Sequence, residues 1–239
     1  GALALLPACL LLPWRRLAGT PRAHAATGMP GQPQQWTLRL AIRSTPYWRL
    51  IQVFFFTAMA IYSVSPQTIA FLIDAGFSPI GAASAFGFAG LLSTGGMISS
   101  GWLSDRLGFS RTALISFALT GAGVLALLAI SWTASIAALT VYVICFGVAQ
   151  GARGPIVSTL SNRIFAGGNA ATIYGTIYCS MAFGAAAGSL LGGVLHDLTG
   201  GYRPVFLLSL VAMALAAEPF RPGTSLAIRG GRPGAGLRP

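Results

Sequence analysis

Lysine is absent from this chain, and all 15 basic residues are arginine. Schiff-base chemistry, a phosphate-gripping lysine and a lysine general base are therefore excluded. Acids are almost as scarce: four Asp and Glu in 239 residues, widely scattered. That leaves no pair of carboxylates for acid–base work. The two histidines, His24 and His196, stand far apart, and no H-E-x-x-H, G-x-S-x-G or metal-ligand cluster occurs. His196 has Asp197 beside it, a pairing that reads as helix capping before it reads as a proton relay. No catalytic residue, metal or cofactor is expected. Cys9, Cys145 and Cys179 lie isolated in apolar runs, as small buried hydrophobes do, and not as a disulfide set. Charged residues make up 8% of the chain, about a third of a soluble domain's share. Too few polar groups remain to coat a water-facing surface, which excludes a cytosolic domain and a disordered tail.

What is abundant is apolar: 54% hydrophobic residues and a mean hydropathy of +0.72. An integral membrane protein follows. A spanning helix needs about 20 apolar residues to cross ~30 Å of hydrocarbon. Five segments qualify: Tyr47–Ile73, Ile80–Ser100, Thr112–Ile130, Ser135–Leu160 and Ala170–Leu195. A shorter sixth, Pro204–Ala217, has 14 residues, about 21 Å of helix. Gly1–Pro13 is apolar but too short to span, and no basic stretch precedes it as in a signal peptide.

The arginines are distributed unevenly about these spans. Thirteen fall in residues 14–49, the 101–111 loop, the turn at Arg163 and the C-terminal tail, whereas the three opposite loops hold only Arg203. Under the positive-inside rule both ends of the six-span unit are cytoplasmic. Anionic headgroups on that face account for the +11 charge, so the lipid bilayer and not nucleic acid is the expected partner. The Pro-, Gly-, Gln- and Arg-rich stretch 14–46 reads as a cytoplasmic linker.

Between the second and third spans runs Gly101-Trp102-Leu103-Ser104-Asp105-Arg106-Leu107-Gly108-Phe109-Ser110-Arg111. It resembles the signature loop of the major facilitator superfamily, approximately G-x-L-a-D-r-x-G-r-k. Gly101, Leu103, Asp105, Arg106 and Gly108 match, and Arg111 falls in the following basic cluster. Phe109 and Ser110 replace residues that the family prefers basic, which implies thinner ion pairing. Two glycines suit close helix ends and a sharp turn, and Asp105 suits the positive end of a neighbouring helix. The resemblance implies a gating role for this loop. A small-residue run containing Gly184, Gly188, Gly192 and Gly193 offers a face for close packing. It resembles the family's G-x-x-x-G-P-x-x-G-G element, with Ser189 in place of proline. The turn after Gly193, through Asp197, Thr199 and Tyr202, is similar to that of monocarboxylate-type members, and Asp197 and Thr199 there read as helix caps.

The resemblance implies an all-α membrane protein of six transmembrane helices, forming one half of the superfamily fold, a 3+3 inverted repeat. The basic stretch before the first span places it as the C-terminal half, over residues 47–217. Residues 1–13 would then end a preceding span, and a missing N-terminal six-helix half would be the partner. Residues 218–239 read as a disordered or frame-displaced tail. The location expected is integral to a membrane, the bacterial cytoplasmic one.

Polar residues within spans are costly and point to function. In this fold the first and fourth helices of each half line the cavity, which singles out Tyr62 and Gln67 on one span and Tyr142, Gln150 and Arg153 on another. Tyr178 on the fifth span joins them, with Tyr174 and Thr176 beside it. Ser93 and Thr94 read as bonded back to their own helix. Arg153 carries most weight, because its fork grips a carboxylate bidentately and stays charged at physiological pH. Counted from Ser135 it lies about 27 Å along its helix, which puts it near the cytoplasmic face, where snorkelling competes with binding. The function expected is secondary transport of a small solute, an organic anion such as a mono- or dicarboxylate, by alternating access. The competing readings are an inactive membrane fragment, a six-span unit that works as a homodimer, and drug or sugar transport.

Overall fold

The computed structural model describes residues 36–167 and 169–221. The segment 1–13, most of the 14–46 linker and the tail from 222 lie outside them. In lipid every backbone N–H and C=O must be satisfied within its own segment, so long apolar runs become helices. They are α1 (Leu38–Ile42), α2 (Thr45–Val64), a 3₁₀ turn (Ser65–Gln67), α3 (Thr68–Asp74), α4 (Pro79–Leu107), α5 (Phe109–Ile130), α6 (Ile136–Ile164), α7 (Ala170–Thr199) and α8 (Arg203–Ala217), closed by a second 3₁₀ turn (Glu218–Phe220). Six helical stretches are long and apolar enough to cross a membrane, with α2, the turn and α3 counting as one.

Local chemistry sets the ends. Ser78 caps α4 ahead of Pro79, and Ser135 caps α6 through the Ala138 amide. Gly200, left-handed at φ +65°, closes α7. Pro66 lacks the N–H that would continue α2, and the chain passes it in the 3₁₀ turn.

Several of the expected boundaries move outward, two of them with consequences for packing. Helix α4 has 29 residues, about 44 Å, longer than the hydrocarbon core, so its polar end runs on as helix through Arg106. The last span reaches Phe220 and totals 18 residues. Glu218 pairs with Arg49 there, and Phe220 is buried against Phe117. At the N-terminal side, Trp36 packs edge-on against Phe165, and Ala41 of α1 is fully buried.

The packing has internal symmetry. Helix α2 packs on α7 and α8, α6 packs on α4 and α5, and α5 touches α8. Exchanging α2 with α6, α4 with α7 and α5 with α8 maps this contact set onto itself, which is the signature of two three-helix repeats. Two hydrophobic clusters fill the interior. One lies around Leu50, Ile156, Ile173 and Phe220, the other around Leu72, Leu127, Tyr142 and Phe206. The helix ends carrying Arg106, Arg111 and Arg163 share one side with Arg49 and Arg221, called the basic end below. Of the six spans, α4 and α7 bury the least surface.

Candidate functional site

A cavity of about 340 Å³ opens between α2, α4, α5, α6 and α7. Helical spacing explains its wall. On α2, Phe54, Ala58 and Tyr62 recur every four residues, with Thr57 and Ile61 beside them. From α6 come Gln150, Gly151, Arg153, Gly154 and Val157, and from α7 come Tyr174, Tyr178 and Met181. Ser93, Met97 and Phe117 complete it. Phe54 meets the rings of Tyr174 and Tyr178 edge-on, at 6.2 and 5.7 Å between centroids.

Arg153 is the one charged residue in this wall, and it is 5% exposed. Its Nε donates to the Ala149 carbonyl and to Ser116 Oγ, both at 3.2 Å, and Nη2 donates to Thr120 Oγ1. Ser116 in turn donates to the Ala149 carbonyl at 3.0 Å. Phe117 lies 5.9 Å from the guanidinium carbon. Nη1 is buried without a partner among the described residues. All four acids of the chain stand elsewhere, at helix ends: Asp74, Asp105, Asp197 and Glu218. Leaving a charge buried and unpaired costs several kcal/mol, so this geometry favours any anion that completes the fork.

Arg153 lies 17 residues from the start of α6 at Ile136, about 26 Å along it, in line with its count from Ser135. Helix α6 continues through Ile164, leaving Arg153 about 16 Å inside the basic end. Of the six expected binding residues, Arg153, Gln150, Tyr62 and Tyr178 share the cavity wall. Tyr142 and Gln67 do not. Tyr142 is fully buried, its ring tilted against Phe146 at 5.2 Å in the second hydrophobic cluster. Gln67 lies in the 3₁₀ turn, its amide beside Gly192. Residue type alone cannot say which side of a helix a side chain takes. Phe54, Thr57, Ser116, Phe117 and Thr120 were not singled out by sequence. The i, i+4 row back from Tyr62 gives Ala58 and Phe54, a signal that was available. Ser93 donates back to the Gly90 carbonyl at 2.6 Å, as expected, while also lining the cavity.

The signature segment takes a different shape from the expected loop. Gly101 lies inside α4 with open space where a Cβ would stand, so it provides no close approach. The turn falls to Gly108 alone, at φ +86°. Asp105 is exposed and makes no cap to α5. The arginines here meet rings instead of acids: Arg106 lies 4.2 Å from the Trp102 ring and Arg163 lies 4.5 Å from Phe109. Arg111 is exposed. Gly101, Asp105 and Arg163 line a small cleft of about 130 Å³.

The glycine run on α7 splits. A Cβ on Gly184, Gly188 or Gly192 would collide with the backbone of Phe55, Met59 or Ser63 on α2, so these three let the two helices touch. Gly193 faces open space and takes no part. At the end opposite the basic one, Tyr202 donates to Asp74 at 3.0 Å. Burial and the adjacent Asp74 carboxylate push the Tyr202 hydroxyl above its usual pKa. Thr199 donates to the Leu195 carbonyl at 2.6 Å, and His196 lies 3.4 Å from an exposed Asp197.

Comparison with known proteins agrees with this architecture. The sequence profile described as Major Facilitator Superfamily matches residues 1–178 and, overlapping, 99–225. Monocarboxylate transporter 13 of Rattus norvegicus is 27% identical over 143 residues, 59% of this chain and 33% of that protein. Monocarboxylate transporter 13 of Bos taurus matches at the same identity and coverage. The chain thus spans about a third of the length of these curated relatives. Six apolar helices in two inverted repeats, together with a profile match across most of the sequence, identify this integral membrane chain as a member of the major facilitator superfamily.

Proposed function

We propose that this chain is one six-helix half of a secondary transporter that carries a small organic anion, a mono- or dicarboxylate, by alternating access. A second six-helix half would close the cavity over α4 and α7, the two helices that bury least surface. Family membership supports a transporter and not an enzyme. The observation that carries the choice of an anion is Arg153, a buried guanidinium with one unpartnered nitrogen in an apolar cavity and no acid beside it. The names of the relatives point the same way. Both ends of the unit would face the cytoplasm, the arginine-rich side.

The test is calorimetric binding of acetate and succinate to the purified chain in lipid nanodiscs. At least one of them should bind. Arg153→Gln should weaken that binding at least tenfold, since hydrogen bonds to a charged group are the strong ones. Arg153→Lys should keep part of it. Undiminished binding in Arg153→Gln, with an unchanged elution profile and circular dichroism, would overturn the anion site. Light scattering in mild detergent separates a single copy from a homodimer that supplies its own second half.

A further inference from the structure

Thr57 is the second feature of the cavity without an explanation. A threonine inside a membrane helix ordinarily bonds a carbonyl of the preceding turn. Thr68, Thr112, Thr120, Thr140, Thr176 and Thr199 all do so. Thr57 does not: its hydroxyl is shielded from solvent and has no partner among the described residues. It lines the same cavity as Arg153, on α2, the helix that the internal symmetry exchanges with α6.

The depths agree. Thr57 lies twelve residues from the start of α2 at Thr45, and Arg153 lies eleven from the end of α6 at Ile164, both counted from the basic end. The rings of Tyr47 and Phe165 meet at these two helix ends, 6.5 Å between centroids, so at 1.5 Å per residue the two stand at similar depth, about 3 Å apart when counted from that contact. Helices α2 and α6 barely touch, and the cavity lies between them. One wall therefore carries a guanidinium nitrogen and the other a hydroxyl, at similar depth and both without a partner among the described residues. Around them stand Phe54, Phe117, Tyr174 and Tyr178, a lining for a flat apolar body.

We infer that Thr57 and Arg153 together hold a single carboxylate, and that the site takes a monoanion built on an apolar, ring-sized body. The inference rests on the anion-binding reading above and narrows it. One guanidinium compensates one carboxylate. A second carboxylate would meet only the neutral polar groups of Tyr62, Gln150, Tyr174 and Tyr178 and no second cation, and an ammonium would find no acid, since all four acids of the chain lie at helix ends. Thr57 acts as a specificity-determining residue by donating its hydroxyl to the carboxylate oxygen that Arg153 leaves free.

Three probes test this on the full chain in nanodiscs by titration calorimetry: benzoate, succinate and phenylalanine. Benzoate should bind at least tenfold tighter than either of the others. Thr57→Val, which keeps shape and removes the hydroxyl, should weaken benzoate about tenfold, and Thr57→Ser should restore it. Equal binding of succinate or phenylalanine would overturn the inference, as would unchanged benzoate affinity in Thr57→Val. Failure to bind benzoate at all would also overturn it. If Arg153→Gln still abolishes binding in any of these cases, the anion reading survives and only the present inference falls. If Arg153→Gln binds every anion as the unmodified chain does, the anion reading falls as well. Melting temperatures of the two Thr57 variants within a degree or two of the parent exclude misfolding as the cause.

Discussion

The two three-helix repeats share a contact plan and differ in where they spend their small residues and their charge. In the seam between α2 and α7, the glycines belong to the flanking helix: Gly184, Gly188 and Gly192 of α7 lie against the backbone of Phe55, Met59 and Ser63. In the equivalent seam between α6 and α4, two of them lie on the cavity helix itself. Gly147 and Gly151 of α6 meet Ala89 and Ser93, and Gly96 of α4 meets Val148. So α2 keeps bulky side chains along its length and is interrupted only at Pro66, whereas α6 is thinned by glycine, contains Pro155 and still runs unbroken for 29 residues. Arg153 and Gln150 sit on that thinned helix. Helix α2 thus contributes Phe54, two hydroxyls and a hinge-like break to the cavity, and its counterpart α6 contributes the guanidinium and the amide.

The largest effect expected tests the α2–α7 seam. Gly188→Val would drive a side chain into the Met59 backbone, which cannot yield as a flexible side chain can. Overpacking of this kind costs about 3 kcal/mol, or about 6–12 °C in a chain of this size. Gly193→Val, five residues further on and facing open space, should melt within about 2 °C of the parent. Thermal unfolding in detergent measures both. Equal losses at the two sites would mean that helix propensity and not close approach governs this seam.

Next in size is a gain in stability. Arg153→Met removes a buried cation with no acidic partner and fills the space with a flexible apolar side chain. Ser116 and Thr120, which it would release, keep their own bonds to the Ala149 and Ser116 carbonyls. Replacing a buried charge by a well-packed apolar residue is stabilising by about 1–3 kcal/mol, so the variant should melt higher while losing anion binding. A lower melting temperature would show that the guanidinium is a structural strut between α5 and α6.

That Arg153 lines the cavity was legible in the sequence; its hydrogen bonds to Ser116 and Thr120 were not. Hydropathy located six spans because lipid demands apolar length, but it underestimated helices whose polar ends continue past the apolar run, as Ser161–Ile164 and Gly101–Leu107 do. The loop motif was read as a loop for that reason. The cavity was half legible. Tyr62, Gln150 and Tyr178 announce themselves by polarity, and so did Tyr142, which turned out to face the core. Thr57, Phe54 and Phe117 carry no such signal, because a threonine or phenylalanine in a membrane helix is ordinary until its neighbours are known. Gly193 and Gly188 are indistinguishable by composition, and only the helix face separates them.

The smallest effects lie at the basic end, where the internal symmetry predicts equivalent contacts and the chemistry differs. Helix α2 reaches the end of α8 through Arg49 and Glu218, an ion pair with both side chains about a third exposed. Its counterpart, α6 to α5, uses Arg163 over the ring of Phe109, at 4.5 Å. Phe109 stands where the superfamily signature prefers a basic residue, so the substitution turns a repelling site into a platform for a cation. An exposed ion pair is worth about 0.2–1 kcal/mol and a surface cation–π contact about 0.5–1. Double-mutant cycles, Arg49→Ala with Glu218→Gln and Arg163→Ala with Phe109→Leu, should therefore return couplings of similar size at low salt. Salt separates them. At 1 M the screening length falls to about 3 Å, so the Arg49–Glu218 coupling should vanish. Much of the Arg163–Phe109 coupling should remain, because it includes dispersion and apolar contact of the arginine stem. If both couplings disappear together in high salt, the two ends are held by the same force and the contrast between the repeats stops at the cavity.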